Sequence, residues 1–274
     1  MERIRRNERM AAMMSVFTRE PNKIFTLSYF CDLFGAAKST MSEDIDILKE
    51  VMRSFGIGSL ETVTGAAGGV CFRPLMDKTA AYDYVAALCE ELSGKDRVLT
   101  GDFLYLSDIL SQPEIVTTMG IILAGEYYDS NPDFVLTMET KGIPVALMTA
   151  HALGVPLVIA RKLSKVYEGS AVNINYVSGS SGTIENMSLS RRAIKPGQRA
   201  LIVDDFIKGG GTAKGMVDLM REFDVTVVGM AFVMATANPE KKRISGEKAL
   251  MIMDMTGTED SVAQVKPAKW LLEK

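Results

Sequence analysis

Histidine and cysteine are scarce in this chain of 274 residues, and each scarcity argues against a class of site. His151 is the only histidine, which leaves no second one for a histidine-based zinc site or a catalytic histidine pair. The three cysteines, Cys31, Cys71 and Cys89, are odd in number and form no Cys-x-x-Cys pair. We therefore expect reduced core thiols, with no disulfide framework and no metal held by the protein.

Long apolar runs are also lacking. The longest, around Val225 to Ala237, is far short of the ~20 residues of a membrane-spanning helix. The N-terminus carries four arginines and two glutamates between Met1 and Arg9, and no apolar stretch typical of a signal peptide follows. We therefore expect a cytoplasmic protein that does not span a membrane. Apolar residues make up 47% of the chain and charged residues 24%, which is typical of globular proteins, and the length suits about two domains.

Charge is distributed unevenly along the chain. Residues 1–42 contain seven basic and four acidic side chains, whereas the whole chain has a net charge of −3. This asymmetry suggests that one module binds a polyanion, although a mixed, solvated helix face has the same count.

Helical periodicity occurs three times within this basic region. Apolar residues recur at helical spacing over residues 10–17, 27–34 and 41–52. Pro21 closes the first helix, Thr26 caps the second and Gly35 ends it. A helix, a short link and a further helix have the spacing of a helix-turn-helix.

Two short extended runs follow, at residues 58–63 and 70–74, and they flank a small-residue loop at 64–69. Such a loop is able to form the tip of a hairpin. A helix-turn-helix with a hairpin behind it is a winged-helix pattern, so we predict a winged-helix DNA-binding domain over residues 1–74.

Candidate DNA contacts lie at the start of the third helix, where side chains and helix N–H groups meet phosphates or base edges in the major groove. The candidates there are Lys38, Ser39, Thr40 and Ser42, and the arginines expected beside the DNA backbone are Arg3, Arg5, Arg6 and Arg9. Ser39 and Ser42 have an alternative role as ordinary helix caps, which involves no DNA.

Beyond residue 74, strand-like and helical segments alternate. Apolar runs typical of buried strands occur at residues 134–138, 155–160, 200–203 and 225–233, and helical stretches at 76–92, 113–128, 143–153 and 212–223. The alternation predicts an α/β domain with a parallel sheet over residues 75–274. Ligands of such sheets bind at the carboxyl ends of the strands.

One loop at that edge combines two acids with a glycine-rich turn. Glycines let backbone N–H groups approach a phosphate, Thr212 offers a hydroxyl, and a helix N-terminus adds its positive dipole end. The paired acids, expected at the end of the strand, suit the two neutral hydroxyls of a ribose. The residues concerned are Asp204, Asp205, Phe206, Lys208, Gly209, Gly210, Gly211 and Thr212. The stretch resembles the phosphoribosyl diphosphate (PRPP) motif of type I phosphoribosyltransferases; the alternative is a glycine-rich turn with two surface acids.

Two further loops follow strands at the same edge. Thr140, Lys141 and Gly142 open a helix, and the resemblance implies that this loop receives the diphosphate through backbone N–H groups. A simple helix-start turn is the alternative. Arg161 and Lys162 add positive charge after the next strand, and the Ser/Gly-rich stretch at 176–183 has the composition of a mobile loop.

The chain as a whole resembles the purine operon repressors of Gram-positive bacteria, in which a winged helix is fused to a phosphoribosyltransferase-like domain. The resemblance rests on residues 37–44, 64–70, 173–181 and 204–212. It implies a homodimeric regulator that binds operator DNA, represses purine synthesis genes and responds to PRPP without transferring it. Lys208 departs from the small residue that many true transferases carry there, which is compatible with an anion sensor.

An active purine phosphoribosyltransferase with a regulatory N-terminal domain is the alternative. Such an enzyme needs a base pocket, and the candidate segments, residues 235–246 and the tail ending in Trp270, show no acid paired with an aromatic ring. Phe103 and Tyr105 are candidates for ligand contact or for the core. Mg²⁺ is expected to accompany the diphosphate, although no protein cage for the ion is visible.

Overall fold

Three helices and a hairpin form the first part of the computed structural model, which describes residues 4–65, 68–94, 97–99, 103–163, 169–178, 182–255 and 263–273. The helices are α1 (Arg6–Arg19), α2 (Leu27–Phe34) and α3 (Lys38–Phe55), and the hairpin strands β1 (Ser59–Val63) and β2 (Gly69–Arg73) pair antiparallel. As predicted, the Thr26 hydroxyl accepts a hydrogen bond from the Tyr29 N–H at 3.2 Å, and Gly35 ends α2 with a φ of 61°.

The core of this part consists of aromatic and methionine side chains. Helix α3 buries Met41, Ile45, Leu48 and Met52, which are the apolar stripe expected from the sequence. Phe17 and Phe30 are fully buried, and their ring centroids lie 5.1 Å apart. The wing is therefore attached to a helical core, because Leu60, Val70 and Phe72 of the hairpin belong to the same cluster.

The second part is built around a six-stranded sheet. Its elements are α4 (Lys78–Leu92), β3 (Val98–Leu99), β4 (Phe103–Leu104), α5 (Pro113–Gly125), β5 (Phe134–Met138), α6 (Ile143–Leu153), β6 (Leu157–Ala160), β7 (Ala171–Val177), β8 (Ile184–Ser190), β9 (Arg199–Ile207), α7 (Gly211–Glu222), β10 (Thr226–Thr236), β11 (Glu247–Met255), β12 (Ala263–Pro267) and a 3-10 turn (Lys269–Leu272). The sheet has the strand order β12-β11-β10-β9-β5-β6, and β3–β4 and β7–β8 form separate hairpins.

Five strands of the sheet are parallel, and the edge strand β12 runs antiparallel to β11. The sequence predicted a parallel sheet but did not predict strands β11 and β12. Residues 256–262 join them, and a parallel return requires a crossover of about a dozen residues or more. A connection of this length therefore favours antiparallel pairing.

Strand β9 is longer than predicted. It continues past Val203 to Ile207 and pairs with β10 up to the contact between Ile207 and Ala235. Asp204 and Asp205 consequently lie within the strand rather than after its end, because the neighbouring strand still satisfies their backbone groups. This placement buries the Asp204 carboxylate.

The chain divides into two compact units, Met1–Asp77 with His151–Gly154, and Lys78–Ala150 with Val155–Lys274. Each unit has its own hydrophobic cluster, centred on Phe17 and Phe30 in the smaller and on Leu136, Ile202 and Phe232 in the larger. In the part of the chain that the structure describes, none of the helices is long and apolar enough to cross a membrane.

Candidate functional site

A cavity of about 220 Å³ lies at the carboxyl edge of the sheet in the larger unit. It brings together residues that the sequence assigned to two separate loops: Lys141, Asp204, Asp205, Phe206, Lys208, Gly210, Gly211 and Thr212. The remaining wall is apolar and includes Leu104, Leu106 and Phe232. The site therefore combines charged groups with an apolar surface.

The glycine-rich turn leads directly into helix α7. Gly210 adopts a φ of 75°, which favours glycine, and α7 starts at Gly211 with no side chain capping its first N–H groups. The segment after β10 covers the turn, because the Arg243 N–H donates to the Gly209 carbonyl at 3.1 Å. Uncapped N–H groups at a helix start, beside the Thr212 hydroxyl, are groups that can donate hydrogen bonds to an anion.

The paired acids are held in a desolvated position. Asp204 is only 7% exposed, and its Oδ1 atom accepts a hydrogen bond from the Asp205 N–H at 3.0 Å. Burial raises the pKa of Asp204 well above its usual range, and the adjacent Asp205 charge raises it further. Burial also raises the pKa of Asp205, whereas the positive charge of Lys141 opposes that rise. Buried carboxyl groups of this kind favour hydrogen bonds with neutral hydroxyls.

The loop from Thr140 to Gly142 packs directly onto β9. A Cβ atom on Gly142 would lie 1.9 Å from Asp204 Oδ1, 2.8 Å from Thr137 Oγ1 and 2.9 Å from the Asp204 Cα atom, so a larger residue here would require the loop or β9 to shift. The peptide bond between Glu139 and Thr140 is cis. Lys141 projects from the same loop into the cavity wall, which places its charge beside the acids.

Arg161 and Lys162 lie next to this loop but are engaged by acids. Arg161 pairs with Glu139 at 3.3 Å, and Glu139 also accepts the Lys162 N–H at 2.7 Å. The Lys162 ammonium group lies 3.5 Å from Glu185. Arg161 is not among the residues that line the cavity; it lines a separate hollow along β6.

The sequence analysis placed Tyr176 at the start of a stretch expected to be mobile, whereas the structure places it in β7, buried against helix α7. Its hydroxyl donates to Glu185 at 2.9 Å, and its ring packs so close to α7 that a Cβ atom on Gly215 would lie 3.0 Å from it. Burial raises the pKa of Tyr176 to about 12. The signal was the alternation along β7, in which Val172 and Tyr176 are buried.

The segments considered for a base pocket have other contacts. The Trp270 indole N–H donates to the Ala249 carbonyl at 2.6 Å, so the tail is packed against β11. Tyr105 is 44% exposed, whereas its neighbours Leu104 and Leu106 line the cavity. The Phe103 side chain lies outside the described residues. Within the described side chains of this segment, Leu104 and Leu106 line the cavity and Tyr105 does not.

In the smaller unit, the start of α3 presents the predicted polar residues. Lys38, Ser39 and Ser42 are exposed and Thr40 is half-buried. The helix begins at Lys38, and its N-cap residue, Ala37, provides no side-chain hydrogen bond. Ser39 and Ser42 therefore lie within the helix, and the alternative capping role is wrong.

A cleft lies between α3 and the wing, and its polar lining includes Ser28, Lys38, Ser42, Lys49 and Thr62. Lys49 was not predicted; its ammonium group donates to the Thr62 hydroxyl at 3.0 Å and pairs with Asp46. Helix and wing thus present one continuous polar surface.

The expected role of Arg9 in DNA contact is wrong. Its guanidinium group is buried against Asp44 at 2.7 Å, and Asp44 is fully buried in α3. Arg6 also pairs with Asp44, at 3.0 Å, and with Glu43 at 2.9 Å, but half of its side chain remains exposed. Arg5 is exposed, and Arg3 lies outside the described residues. Arg9 therefore joins α1 to α3.

Comparisons with known proteins agree with this two-part organisation. Residues 5–74 match the family described as bacterial purine repressor, N-terminal, and residues 106–265 match the phosphoribosyl transferase domain. The chain is 44% identical over 250 residues to the probable purine biosynthesis transcriptional regulator PurR of Streptococcus pneumoniae, with 91% of each chain covered. The chain belongs to the PurR family of purine biosynthesis transcriptional regulators.

Two further PurR relatives differ in the direction of regulation given by their names. The purine biosynthesis transcriptional repressor PurR of Bacillus subtilis is 37% identical, with 98% of this chain and 94% of that protein covered. The purine biosynthesis transcriptional activator PurR of Lactococcus lactis subsp. lactis is 39% identical, with 92% and 93% covered.

The fold of the larger unit is also known from solved structures. The crystal structure of adenine phosphoribosyltransferase from Thermoanaerobacter pseudethanolicus superimposes with a TM-score of 0.51 at 21% identity, covering 60% of this chain and 98% of that one. The predicted family and α/β fold class are confirmed.

Proposed function

We propose that this PurR-family regulator binds operator DNA through its winged helix and that PRPP, bound in the cavity of the larger unit, controls this binding. The observation that carries the proposal is the convergence of Lys141, the acid pair and the Gly210–Thr212 turn on one cavity. Each part matches one part of PRPP, which has a 5′-phosphate, two ribose hydroxyls and a diphosphate.

The assignment of the three subsites follows their chemistry. The uncapped start of α7 with Thr212 suits the 5′-phosphate, because backbone N–H groups and the helix dipole favour a dianion. Asp204 and Asp205 suit the ribose hydroxyls. Thr140, Lys141 and Gly142 suit the diphosphate, with Arg161 as an additional cation once it leaves Glu139.

Mg²⁺ is proposed to enter with the diphosphate. Among the residues that the structure describes, no group of three or more His, Cys, Asp or Glu side chains is arranged to hold a metal ion. The ion would therefore be held by diphosphate oxygens, water and at most one or both carboxylates of the acid pair. Its contribution is to neutralise adjacent phosphate oxygens.

We further propose that the protein does not transfer the phosphoribosyl group. The support for this proposal is the apolar part of the cavity wall. This part offers Leu104 and Leu106, and neither side chain can hydrogen-bond a purine. The match to the phosphoribosyl transferase domain nevertheless makes an active purine phosphoribosyltransferase the second candidate.

The direction of control is proposed to be repression, with a homodimer as the active form. The B. subtilis relative is named a repressor, whereas the L. lactis relative is named an activator, so transcription has to be measured directly. Transcription from a purine synthesis promoter in vitro is expected to fall when the protein is added, and light scattering is expected to give twice the chain mass.

The experiment that tests effector binding uses the Asp204→Ala, Asp205→Ala double variant. Hydrogen bonds to a charged group contribute about 1.5–3 kcal/mol, so each substitution is expected to weaken PRPP binding by roughly 10- to 100-fold. Isothermal titration with and without Mg²⁺ measures this loss. Operator binding in a gel-shift assay is expected to stay intact in the variant and to lose its response to PRPP.

Two outcomes would contradict the proposal. A folded double variant that responds to PRPP with an unchanged midpoint would show that the effector binds elsewhere. Nucleotide formation at about 1 s⁻¹ from PRPP and adenine, guanine, hypoxanthine or xanthine would favour the enzyme instead.

A further inference from the structure

The turn between β8 and β9 presents four exposed cations on nine residues. They are Arg191, Arg192, Lys195 and Arg199, and no other charged residue occurs between positions 186 and 203. The chain as a whole has a net charge of −3, so this segment opposes the sign of its surroundings. We call residues 190–199 the basic turn.

No ion pair joins a side chain of the basic turn to an acid in the part of the chain that the structure describes, although the Arg199 backbone N–H donates to the Asp133 carboxylate. Several other cations of the same unit are paired with acids: Arg161 pairs with Glu139, Lys162 with Glu185, and Lys248 with Glu126. Unneutralised charge on a protein surface raises the local electrostatic potential, which attracts a polyanion.

The backbone of the basic turn is fixed. Ile194 is buried in the core of the unit and anchors the turn. Five backbone N–H groups of the turn donate hydrogen bonds of 2.7 to 3.0 Å. The donor and acceptor residues are Arg191 and Ser170, Ala193 and Ser190, Lys195 and Gln198, Gly197 and Asp224, and Arg199 and Asp133. The charged side chains are thus presented at constant spacing, which reduces the entropy lost on binding.

The basic turn is separate from the effector cavity. It precedes β9, so it lies at the amino end of that strand, whereas the cavity lies at the carboxyl end. Arg199 and Asp204 are five residues apart on β9, which at ~3.3 Å per residue is roughly 17 Å. A ligand of the size of PRPP does not reach both.

We propose that the basic turn binds the sugar–phosphate backbone of DNA that flanks the sequence contacted by the winged helix. This inference rests on the proposed DNA-binding function. Three of the four cations are arginines, whose guanidinium groups match phosphate oxygens in two-point contacts. Protein interfaces are usually anchored by exposed aromatic or aliphatic side chains, but Ile194 of the turn is buried. Phosphate contacts need no such anchor.

The test compares two duplexes with the full-length protein. One duplex spans only the operator contacted by the winged helix; the other extends it by about three helical turns of ~10 base pairs on each side. The Arg192→Gln, Lys195→Gln variant removes two charges from the basic turn. Its matched control is Lys266→Gln, Lys269→Gln, which removes two exposed charges from β12 and the 3-10 turn.

The long duplex is expected to distinguish the variants. Each lost phosphate contact lowers the slope of log K against log salt by about 0.9, so the Arg192, Lys195 variant is expected to lose about 1.8 on the long duplex. Its affinity for that duplex is expected to fall by roughly 3- to 30-fold, with no change on the short one. The control variant is expected to behave as the unmodified protein on both.

Three results would overturn the inference or its basis, and they are distinguishable. Unchanged slopes on both duplexes would exclude a DNA contact and leave an acidic protein as the partner of the turn. An equal loss on both would place the turn within the operator and not on its flanks. Failure of the unmodified protein to bind either duplex would instead refute the proposed DNA-binding function.

Discussion

The Asp204 carboxyl group is buried beside a second acid, and this burial makes the stability of the fold depend on pH. Burial raises its pKa, and the neighbouring Asp205 adds to the effect. The unfolded chain exposes an ordinary aspartate with a pKa of about 3.9, so between that pH and the folded pKa only the folded state retains the proton. Stability therefore falls as the pH rises through this window.

Asp204→Asn is expected to remove this dependence. Asparagine does not titrate, keeps the Oδ1 acceptor for the Asp205 N–H and removes the buried charge. The variant is expected to unfold at the same urea concentration as the unmodified protein near pH 4 and at a higher one at pH 7. Each unit by which the pKa is raised corresponds to about 1.4 kcal/mol at high pH. A midpoint difference that is the same at pH 4, 5.5 and 7 would mean that this carboxyl group is not desolvated.

Arg9 and Gly142 mark the limit of what single residues reveal in a sequence. An arginine near a positively charged terminus fits a DNA contact, but its partner Asp44 lies 35 positions away and no local pattern shows that pairing. The need for glycine at position 142 likewise depends on Asp204, which approaches only after two strands have paired. In contrast, the residues from Asp204 to Thr212 that line the cavity could be singled out because their pattern is local: acids, glycines and a threonine stand in one continuous stretch.

At the scale of elements, the first and last residues of a helix or strand were predicted best where turn residues stand on both sides of an apolar run. Strand β5 and helix α6 have the predicted limits, and Gly142 and Gly154 stand at the ends of α6. Strands β11 and β12 were missed because their partners determine them: β11 pairs with β10, and β12 completes the edge of the sheet. The extension of β9 past Val203 has the same cause.

The contact between the 140–142 loop and β9 leads to a prediction about these two elements. Gly142→Ala would place a methyl group against the Asp204 carboxylate, so the loop is expected to shift and PRPP affinity to fall at least 10-fold. The matched control is Gly94→Ala, because a Cβ atom there would come no closer than 3.8 Å to any neighbour. Titration calorimetry with PRPP measures both variants. An unchanged affinity of Gly142→Ala would remove the loop from the effector site.

On the scale of the whole molecule, the two units have separate hydrophobic clusters and separate candidate sites. The smaller has a cleft lined by cations and hydroxyls, and the larger has a cavity lined by an acid pair, two lysines and a glycine-rich turn; the proposed ligands are a polyanion and one small anion. Regulation requires that the two sites be linked, and linkage is reciprocal: if PRPP changes operator affinity, the operator changes PRPP affinity by the same factor.

Calorimetric unfolding is expected to separate the two units and to reveal this linkage. PRPP at 100 times its Kd stabilises its unit by about 2.7 kcal/mol, which corresponds to a rise in Tm of roughly 5–10 °C for a unit of this size. Operator DNA is expected to raise the transition of the smaller unit, and adding both ligands is expected to give shifts that are not additive. The Asp204→Ala, Asp205→Ala variant serves as the control. Strictly additive shifts would mean that effector and operator bind independently.

The close approach of Gly142 to Asp204 also restricts how chains of this kind can diverge. A Cβ atom at position 142 would lie 1.9 Å from the Asp204 carboxylate and 2.9 Å from the Asp204 Cα atom, so loss of the acid alone does not make room for a larger residue. A related chain with a larger residue at position 142 is therefore expected to have moved this loop away from β9. Under the proposed function, such a chain would keep its winged-helix domain and lose the response to the effector, so that one position would distinguish responsive from unresponsive regulators by sequence alone.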